Sequence, residues 1–292
     1  MNHKSGFVNI LGNPNVGKST IMNALVGEKL SIITSKAQTT RHRIMGIVNG
    51  EDFQIVYSDT PGILKPKYKL QETMMSFVNT ALSDADMIIY VTDITERFAF
   101  EGEYIDRIKE SGIPVIIAIN KIDLTNQEDL EKKVEPWVSA FPGSPIIPLS
   151  AILKFNLDTL LNAILQRLPE SPPFFPKDQL TDKYERFFAS EIIREKILLN
   201  YKKEIPYSVE VEIESFKDEK KLISIRAVIH VARDSQKGII IGHKGSMLKK
   251  VGTDARHDME DFFGKSVFLE LYVKVSKDWR DKPLSLKRFG YQ

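Results

Sequence analysis

The sequence contains no cysteine, which excludes disulfide bonds, thiol catalysis and cysteine-based zinc sites. No stretch approaches the ~18 apolar residues of a membrane-spanning helix, and the first residues lack the apolar core of a signal peptide. We therefore expect a cytoplasmic protein that does not span a membrane. Histidine is scarce, and no spacing typical of a metal site connects the five present, which are His3, His42, His230, His243 and His257.

The composition is that of a globular protein, with 42% apolar and 27% charged residues among 292. It excludes collagen-like and wholly disordered chains. At about 150 residues per domain, the length predicts two domains.

The charge is distributed unevenly along the chain. Residues 1–172 carry 17 basic and 20 acidic side chains, a net charge of −3, whereas residues 173–292 carry 24 and 19, a net charge of +5. The second half is therefore a candidate for an anionic partner, although a solvated surface also explains so mild an excess.

Short apolar runs alternate with amphipathic stretches in the first half of the chain. The runs predict strands over residues 6–11, 53–57, 87–91, 115–119 and 146–149. The stretches predict helices over residues 19–26, 70–82, 101–111, 127–141 and 156–168. Near-continuous apolar strands separated by helices are typical of a parallel sheet covered on both faces. Residues 1–168 therefore predict a doubly wound α/β domain with a mostly parallel sheet.

The pattern changes after this domain. Four prolines fall within residues 169–176, and since proline fixes φ and removes amide donors, residues 169–180 predict a stiff linker. Residues 181–292 then follow the order α-β-β-α-α-β, which predicts a smaller α+β domain. Its first helix would be capped by Thr181 or Asp182 and would end near Tyr201.

A phosphate-binding pattern, G-x-x-x-x-G-K-[ST], occupies residues 12–19 between a predicted strand and a predicted helix. Successive backbone N–H groups and the positive end of the helix would bind phosphate oxygens. Lys18 would contact the β- and γ-phosphates, and the Ser19 hydroxyl would ligate Mg²⁺. The alternative is a glycine-rich turn without a ligand. The predicted nucleotide-binding residues here are Gly12, Asn13, Pro14, Asn15, Val16, Gly17, Lys18, Ser19 and Thr20.

A second element of the site follows the strand at residues 53–57. Asp59 could hold Mg²⁺ through water, and the amide of Gly62 could contact a γ-phosphate. The tetrapeptide Asp59-Thr60-Pro61-Gly62 is by itself a common turn. Its predicted position one strand away from the phosphate loop favours the functional interpretation.

The segment Asn120-Lys121-Ile122-Asp123 indicates which nucleotide binds. The Asp123 carboxylate could accept hydrogen bonds from N1–H and the 2-amino group of guanine, whereas adenine would present a lone pair to it. Asn120 would brace the loop, the stem of Lys121 would cover the ring, and the backbone at Ser150 and Ala151 would donate to guanine O6. This segment favours GTP and argues against the rival interpretation, a nucleotide kinase or ATPase.

Together with residues 35–43, these motifs resemble the Era family of bacterial GTPases, and the resemblance extends over essentially the whole chain. It implies a GTP-hydrolysing switch with GTP and GDP as ligands and Mg²⁺ as cofactor. It further implies binding near the 3′ end of 16S rRNA, a role in assembly of the small ribosomal subunit, and peripheral association with the inner face of the cell membrane. It favours Thr40 over Thr39 as the third Mg²⁺-binding side chain, beside Ser19 and Asp59; a polar loop without this role is the alternative.

The motifs leave the water-activating group open. Ile63 occupies the position of the glutamine that orients water in Ras-like proteins, so we expect slow intrinsic hydrolysis. In related GTPases an asparagine at the position of Asn15 helps to hold K⁺, and the alternative is an asparagine that braces the loop. Arg41 and Arg43 are further candidate cations, for which phosphate-backbone contact or solvation are alternatives. The predicted catalytic residues are Asn15, Lys18, Thr40 and Gly62.

The second half contains a candidate RNA-binding loop, Gly242-His243-Lys244-Gly245. It fits the G-x-x-G loop with which KH domains clamp about four nucleotides, although glycine also commonly ends helices. The order of the surrounding elements resembles the type II KH fold, and no acidic residue lies between residues 237 and 250. A non-catalytic, GTP-gated RNA-binding scaffold remains the alternative to an enzyme, and we expect a monomer. The predicted RNA-binding residues are Lys237, Gly242, His243, Lys244, Gly245, Lys249 and Lys250.

Overall fold

The computed structural model describes residues 3–96 and 102–291. The chain divides into two compact units, and the first comprises Met1–Ser31, Thr40–Lys65 and Met74–Asp182. The second comprises Ile32–Thr39, Pro66–Thr73 and Lys183–Gln292. Two short segments from the first half of the sequence thus belong to the second unit.

A six-stranded sheet with intervening helices forms the first unit. In chain order, the elements up to residue 167 are β1 (Lys4–Leu11), α1 (Lys18–Val26), β2 (Ile44–Asn49), β3 (Phe53–Asp59), α2 (Lys69–Ser83), β4 (Met87–Asp93), α3 (Glu103–Glu110), β5 (Val115–Asn120), α4 (Gln127–Ala140), β6 (Ile146–Pro148) and α5 (Leu157–Arg167). The strand order is β2-β3-β1-β4-β5-β6. Only the β2–β3 pairing among these strands is antiparallel, so the predicted α/β class with a mostly parallel sheet is confirmed. The predicted start of α3 at Glu101 lies outside the described residues.

The strand β2 is absent from the sequence-based prediction. It is short, contains Gly46, and lies at the edge of the sheet, where it pairs with β3 over only six residues. Its other edge bonds to the segment after the prolines: the Ile47 amide donates to the Leu180 carbonyl (2.8 Å) and the Thr181 hydroxyl to the Met45 carbonyl (2.7 Å). Strand β2 therefore pairs with its sequence neighbour β3 on one side and with a segment more than 130 residues away on the other.

These contacts also correct the predicted helix cap. Asp182 accepts a hydrogen bond from the Met45 amide (2.9 Å), so neither Thr181 nor Asp182 caps the next helix. That helix begins at Glu185, and its N-cap residue, Tyr184, makes no side-chain capping bond.

The proline-rich segment forms no helix or strand, but it packs against the first unit. The Ser5 amide donates to the Pro169 carbonyl (3.1 Å). The side chain of Gln54 accepts from the amides of Phe174 (2.7 Å) and Phe175 (2.9 Å). These contacts fix residues 169–175 at the amino-terminal ends of β1 and β3 instead of leaving them as a free spacer.

The second unit has the predicted α-β-β-α-α-β order, followed by one further helix. Its elements from residue 185 onward are α6 (Glu185–Asn200), β7 (Val209–Asp218), β8 (Leu222–Val231), α7 (Asp234–Ile241), α8 (Ser246–Phe263), β9 (Ser266–Val275) and α9 (Pro283–Arg288). Strand β8 pairs antiparallel with β7 and parallel with β9. The core lies between this sheet and the helices, with Ile193, Ile229, Ile240 and Met259 fully buried. Within the described residues, we find no helix with the length and hydrophobicity needed to cross a bilayer.

Candidate functional site

The phosphate loop, residues 12–17, connects β1 to α1 in a conformation that requires glycine. Gly12 and Gly17 have positive φ values of 145° and 100°. A Cβ atom at Gly12 would lie 2.1 Å from the Val91 carbonyl oxygen, and one at Gly17 would lie 2.1 Å from the side chain of Asn120. The N-cap residue of α1 is Gly17, which has no side chain to cap the first turn of the helix. Its amide groups can therefore bind an anion.

Lys18, the first residue of α1, turns its ammonium group back over this loop. Its Nζ donates to the carbonyl oxygens of Gly12 (3.0 Å) and Asn13 (2.8 Å). Burial lowers the pKa of Lys18 to about 8, although the charge of Asp59 opposes this shift. From this position the ammonium group can move onto a phosphate group while the backbone of Lys18 changes little.

Three oxygen-bearing side chains meet beside the phosphate loop. Ser19 Oγ donates to Asp59 Oδ2 (2.7 Å) and lies 2.9 Å from Thr40 Oγ1, which donates to the same carboxylate oxygen (3.3 Å). Asp59 is fully buried, and its Oδ1 has no hydrogen-bond partner within the described chain. Burial raises the pKa of Asp59 despite the bond from Ser19 and the charge of Lys18. Hydroxyl and carboxylate oxygens around an unsatisfied buried carboxylate fit Mg²⁺.

The two candidate switch threonines have different surroundings. Thr39 Oγ1 donates to the Lys36 carbonyl (2.6 Å) and lies 2.7 Å from Thr34 Oγ1. Thr40, in contrast, contacts Ser19 and Asp59. The structure therefore places Thr40, and not Thr39, among the candidate metal ligands.

The turn after β3 approaches the phosphate loop closely. A Cβ atom at Gly62 would lie 2.7 Å from the backbone of Pro14. The Thr60 hydroxyl donates to the Ile10 carbonyl (2.7 Å), and the Ile63 amide donates to the Gly12 carbonyl (3.1 Å). Gly62 is thus held where its amide can approach a phosphate bound to the loop, and a larger residue would displace it.

The predicted base-binding residues lie at the ends of β5 and β6. Asn120 braces the site, because its amide nitrogen donates to the Val16 carbonyl (2.9 Å) and its oxygen accepts from the Ala151 amide (3.0 Å). Asp123 accepts from the Ser150 hydroxyl (2.5 Å). These bonds connect the phosphate loop to the base-binding turn and hold the Asp123 carboxylate in a fixed position.

Asp93, at the end of β4, belongs to this site although the motifs do not identify it. It forms an ion pair with Lys121, whose Nζ also donates to the Asn15 carbonyl (2.7 Å). Although burial opposes it, hydrogen bonds from Lys121 and Thr95 hold the pKa of Asp93 below its usual value. Asp93 therefore orients the lysine stem that is predicted to cover the guanine ring.

The two arginines suggested as catalytic cations are buried. The Arg43 guanidinium forms an ion pair with Asp84 (2.5 Å) and donates to Ser58 (2.5 Å) and Asn9 (3.2 Å). Arg41 is 1% exposed. The alternatives of phosphate contact and solvation are therefore wrong for Arg43, which joins the sheet to the chain after α2.

The candidate RNA-binding loop lies between α7 and α8 in the second unit. Gly242 and Gly245 have φ values of 71° and 79°, and Lys244 also has a positive φ. The side chains of His243 and Lys244 are exposed, as are Lys249 and Lys250, whereas Lys237 is half-buried. The loop and the first turn of α8 thus present their basic side chains to solvent.

A cleft of about 390 Å³ lies beside this loop, between α8 and β9. Arg256 contributes a cationic group to its wall, and Leu269 and Leu271 contribute apolar surface. Such a mixture suits nucleotide bases and their backbone. The sequence motifs do not identify these residues, because they become neighbours of the loop only when β9 pairs with β8. The remaining lining residues are Gly245, Leu248, Lys249, Gly252 and Thr253.

Comparisons with known proteins match both halves of the chain. A family model described as "50S ribosome-binding GTPase" matches residues 7–121, and a KH domain model matches residues 204–280. GTPase Era of Staphylococcus haemolyticus is 44% identical over 99% of this chain and 97% of its own length. GTPase Era of Syntrophus aciditrophicus is 46% identical over 99% and 95%. A crystal structure of Era with MgGDPNP and nucleotides 1506–1542 of 16S ribosomal RNA matches with a TM-score of 0.95, at 41% identity over 99% of both chains.

The position of Asp123 predicts a change of base specificity. In Asp123→Asn, the carboxylate that would accept from guanine is lost, so we expect GTP affinity to fall about 100-fold. The introduced amide can donate to the 2-oxo group of xanthine, so affinity for xanthosine triphosphate should rise. Displacement of a fluorescent GTP analogue measures both, with Asp158→Asn on the exposed face of α5 as the matched control. An unchanged preference for GTP over ATP in Asp123→Asn would contradict the assignment.

The lowered pKa of Lys18 predicts proton uptake on nucleotide binding. Contact with phosphate favours the charged ammonium and so raises the pKa of Lys18 above about 8. GDP binding with Mg²⁺ should therefore take up more protons at about pH 9 than at about pH 7, because Lys18 without nucleotide is mostly uncharged only at the higher pH. Calorimetry in buffers of different ionisation enthalpy measures this uptake. Equal binding heats in all buffers at the higher pH would show that Lys18 is already fully charged without nucleotide.

Proposed function

The chain belongs to the Era family of GTPases, and on that premise we propose that it couples its GTPase cycle to RNA binding by the KH domain during assembly of the small ribosomal subunit. The observation that carries the proposal is the meeting of Thr40 with Ser19 and Asp59, since a switch residue among metal ligands can report the nucleotide state. The related Era structure contains nucleotides 1506–1542 of 16S rRNA. We therefore propose the 3′ region of 16S rRNA as the RNA partner.

The chain's own residues account for binding and orientation of GTP. Ser19 and Thr40 would hold Mg²⁺ directly, and Asp59 would hold it through water. When bound, the ion neutralises charge that develops on the β- and γ-phosphate oxygens. Lys18 would shift from the loop carbonyls to the phosphates, and the Gly62 amide would donate to the γ-phosphate. Within the described residues, Asp59 Oδ1 has no hydrogen-bond partner, which supports the proposal that this carboxylate faces a ligand.

Water activation requires a group other than residue 63, because the Ile63 side chain cannot form a hydrogen bond. We propose that Asn15 helps to hold K⁺ beside the β–γ bridge. Asn15 is exposed at the tip of the phosphate loop with a φ of 66°, and the bond from Lys121 to its carbonyl fixes this backbone conformation. A monovalent cation there would replace the charge that an arginine supplies in other GTPases.

The K⁺ proposal predicts a dependence of turnover on the monovalent cation. GTP hydrolysis should be about tenfold faster in K⁺ than in Na⁺, because an additional positive charge stabilises the transition state. Asn15→Ala should remove most of this difference while leaving GDP affinity nearly unchanged. Phosphate release in matched salts measures both. Equal rates for the unaltered protein in the two salts would exclude the K⁺ site.

The RNA-binding loop predicts a separation of the two activities. In His243→Asp/Lys244→Asp, two acidic side chains would face RNA phosphates, so affinity for the 16S rRNA 3′ fragment should fall at least about tenfold and its salt dependence should weaken. GTP affinity should not change. The matched control is Lys220→Asp/Lys221→Asp, which places the same charges on the exposed turn between β7 and β8. Loss of RNA binding in the control alone would contradict the loop assignment.

We propose a cytoplasmic site of action, because that is where ribosomal subunits assemble. Peripheral contact with the inner face of the membrane, the monomeric state and the two-domain boundaries at residues 168 and 181 remain predictions. Membership of a family of GTPases favours an enzyme over a non-catalytic scaffold. Measurement of phosphate release with and without RNA tests whether RNA also controls the rate.

A further inference from the structure

The segment before Thr40, Ile32–Thr39, is part of the second unit. Thr39, which directly precedes Thr40, accepts a hydrogen bond through its carbonyl from the buried guanidinium of Arg194 on α6. Arg194 is fixed by a two-point ion pair with Glu191, with distances of 2.7 and 2.6 Å. The backbone next to a candidate Mg²⁺ ligand is therefore hydrogen-bonded to a side chain of α6.

A second contact from the same segment lies at the carboxyl end of α6. The Lys36 ammonium donates to the carbonyls of Leu198 and Tyr201. The last carbonyls of a helix have no partner within the helix, and a cation near them is stabilising. Lys36 thus acts as a side-chain cap for the last turn of α6, so displacement of this segment would remove the cap.

Tyr201 continues this connection towards the RNA-binding loop. Its hydroxyl donates to the Ile240 carbonyl (2.6 Å) at the end of α7, two residues before Gly242. Tyr201 and Ile240 are both buried. Burial raises the pKa of Tyr201 to about 12, so the hydroxyl keeps its proton and remains a donor at physiological pH.

We propose that these contacts form the connection through which the nucleotide state changes RNA affinity, and we call Lys36, Tyr201 and Ile240 the α6 link. The inference rests on the proposed function, and it assigns the regulation of that function to particular residues. When Thr40 holds the metal, Lys36 caps α6 and Tyr201 fixes the end of α7, which supports the glycine-flanked loop. When Thr40 releases the metal, Lys36 leaves the helix end and the support for the loop weakens.

The test is the effect of nucleotide on RNA affinity in Tyr201→Phe. This change removes one hydroxyl and leaves both ligand sites untouched. Affinity for the 16S rRNA 3′ fragment is measured with GDPNP and with GDP, and the ratio of the two is the coupling factor. We expect this factor to fall about fivefold in Tyr201→Phe, which is the effect of losing one hydrogen bond of ordinary strength.

The matched control is Ser208→Ala. Ser208 is also a buried hydroxyl of the second unit that donates to a backbone carbonyl, in this case that of Ile205 (3.0 Å). This bond is outside the α6 link, so the coupling factor should be unchanged. An equal fall in both variants would indicate general loosening of the unit and would overturn the inference.

Lys36→Met provides an independent break at the other end of the link. It keeps the length of the side chain but removes the ammonium group that caps α6, so it should lower the coupling factor at least as much as Tyr201→Phe. Because coupling is reciprocal, RNA should lose its effect on GDPNP affinity by the same factor. An unchanged factor in both variants would overturn the α6 link and leave the proposed function intact. Failure of the unaltered protein to bind GTP or RNA in the same titrations would contradict the proposed function itself.

Discussion

The buried carboxylate of Asp59 is the constraint on which the nucleotide site depends. A carboxylate removed from water is costly unless it is paired. Here one oxygen accepts from Ser19 and Thr40, and the other has no hydrogen-bond partner in the part of the chain that the structure describes. The raised pKa of Asp59 expresses the same cost. A divalent cation relieves it, and in doing so it favours the arrangement in which Ser19 and Thr40 stay together. The order of the segment around Thr40 is thus linked to the charge of a single side chain, that of Asp59.

The second structural principle is that the segment around Thr40 is divided between the two units, with the boundary between Thr39 and Thr40. Residues Ile32–Thr39 belong to the second unit, and residues Thr40–Lys65 belong to the first. Arg194 donates to the carbonyl of Thr39, the last residue of the first of these segments. A buried ion pair such as Arg194–Glu191 contributes little net stability but fixes geometry. A fixed anchor on one side of a peptide bond and a ligand-dependent residue on the other make the segment sensitive to the nucleotide.

Much of both sites could be predicted from the sequence, because glycine and short polar motifs at strand ends have few alternative explanations when they occur together. Because Asn120, Asp123 and the phosphate loop each follow a predicted strand, the sequence indicates that they lie at the same edge of the sheet. What could not be predicted depends on distant partners. Strand β2 takes its outer neighbour from residues 180–182, and Arg43 finds Asp84 only after the sheet forms. The cleft beside the RNA loop likewise requires β9 to pair with β8.

The size of the coupling that the α6 link can transmit is limited by its bonds. One hydrogen bond of ordinary strength corresponds to about a fivefold change in an equilibrium constant, and a conformational switch can transmit no more than the difference in contacts between its states. The second unit holds another segment of the first half, Pro66–Thr73, in which the Tyr68 hydroxyl donates to Gln38 (3.0 Å) and the ring lies under Arg280 (4.8 Å). This segment follows the turn that contains Gly62. Both turns that are predicted to contact the nucleotide are therefore followed or preceded along the chain by a segment of the second unit, and the contributions of the two segments to coupling add only if they move independently.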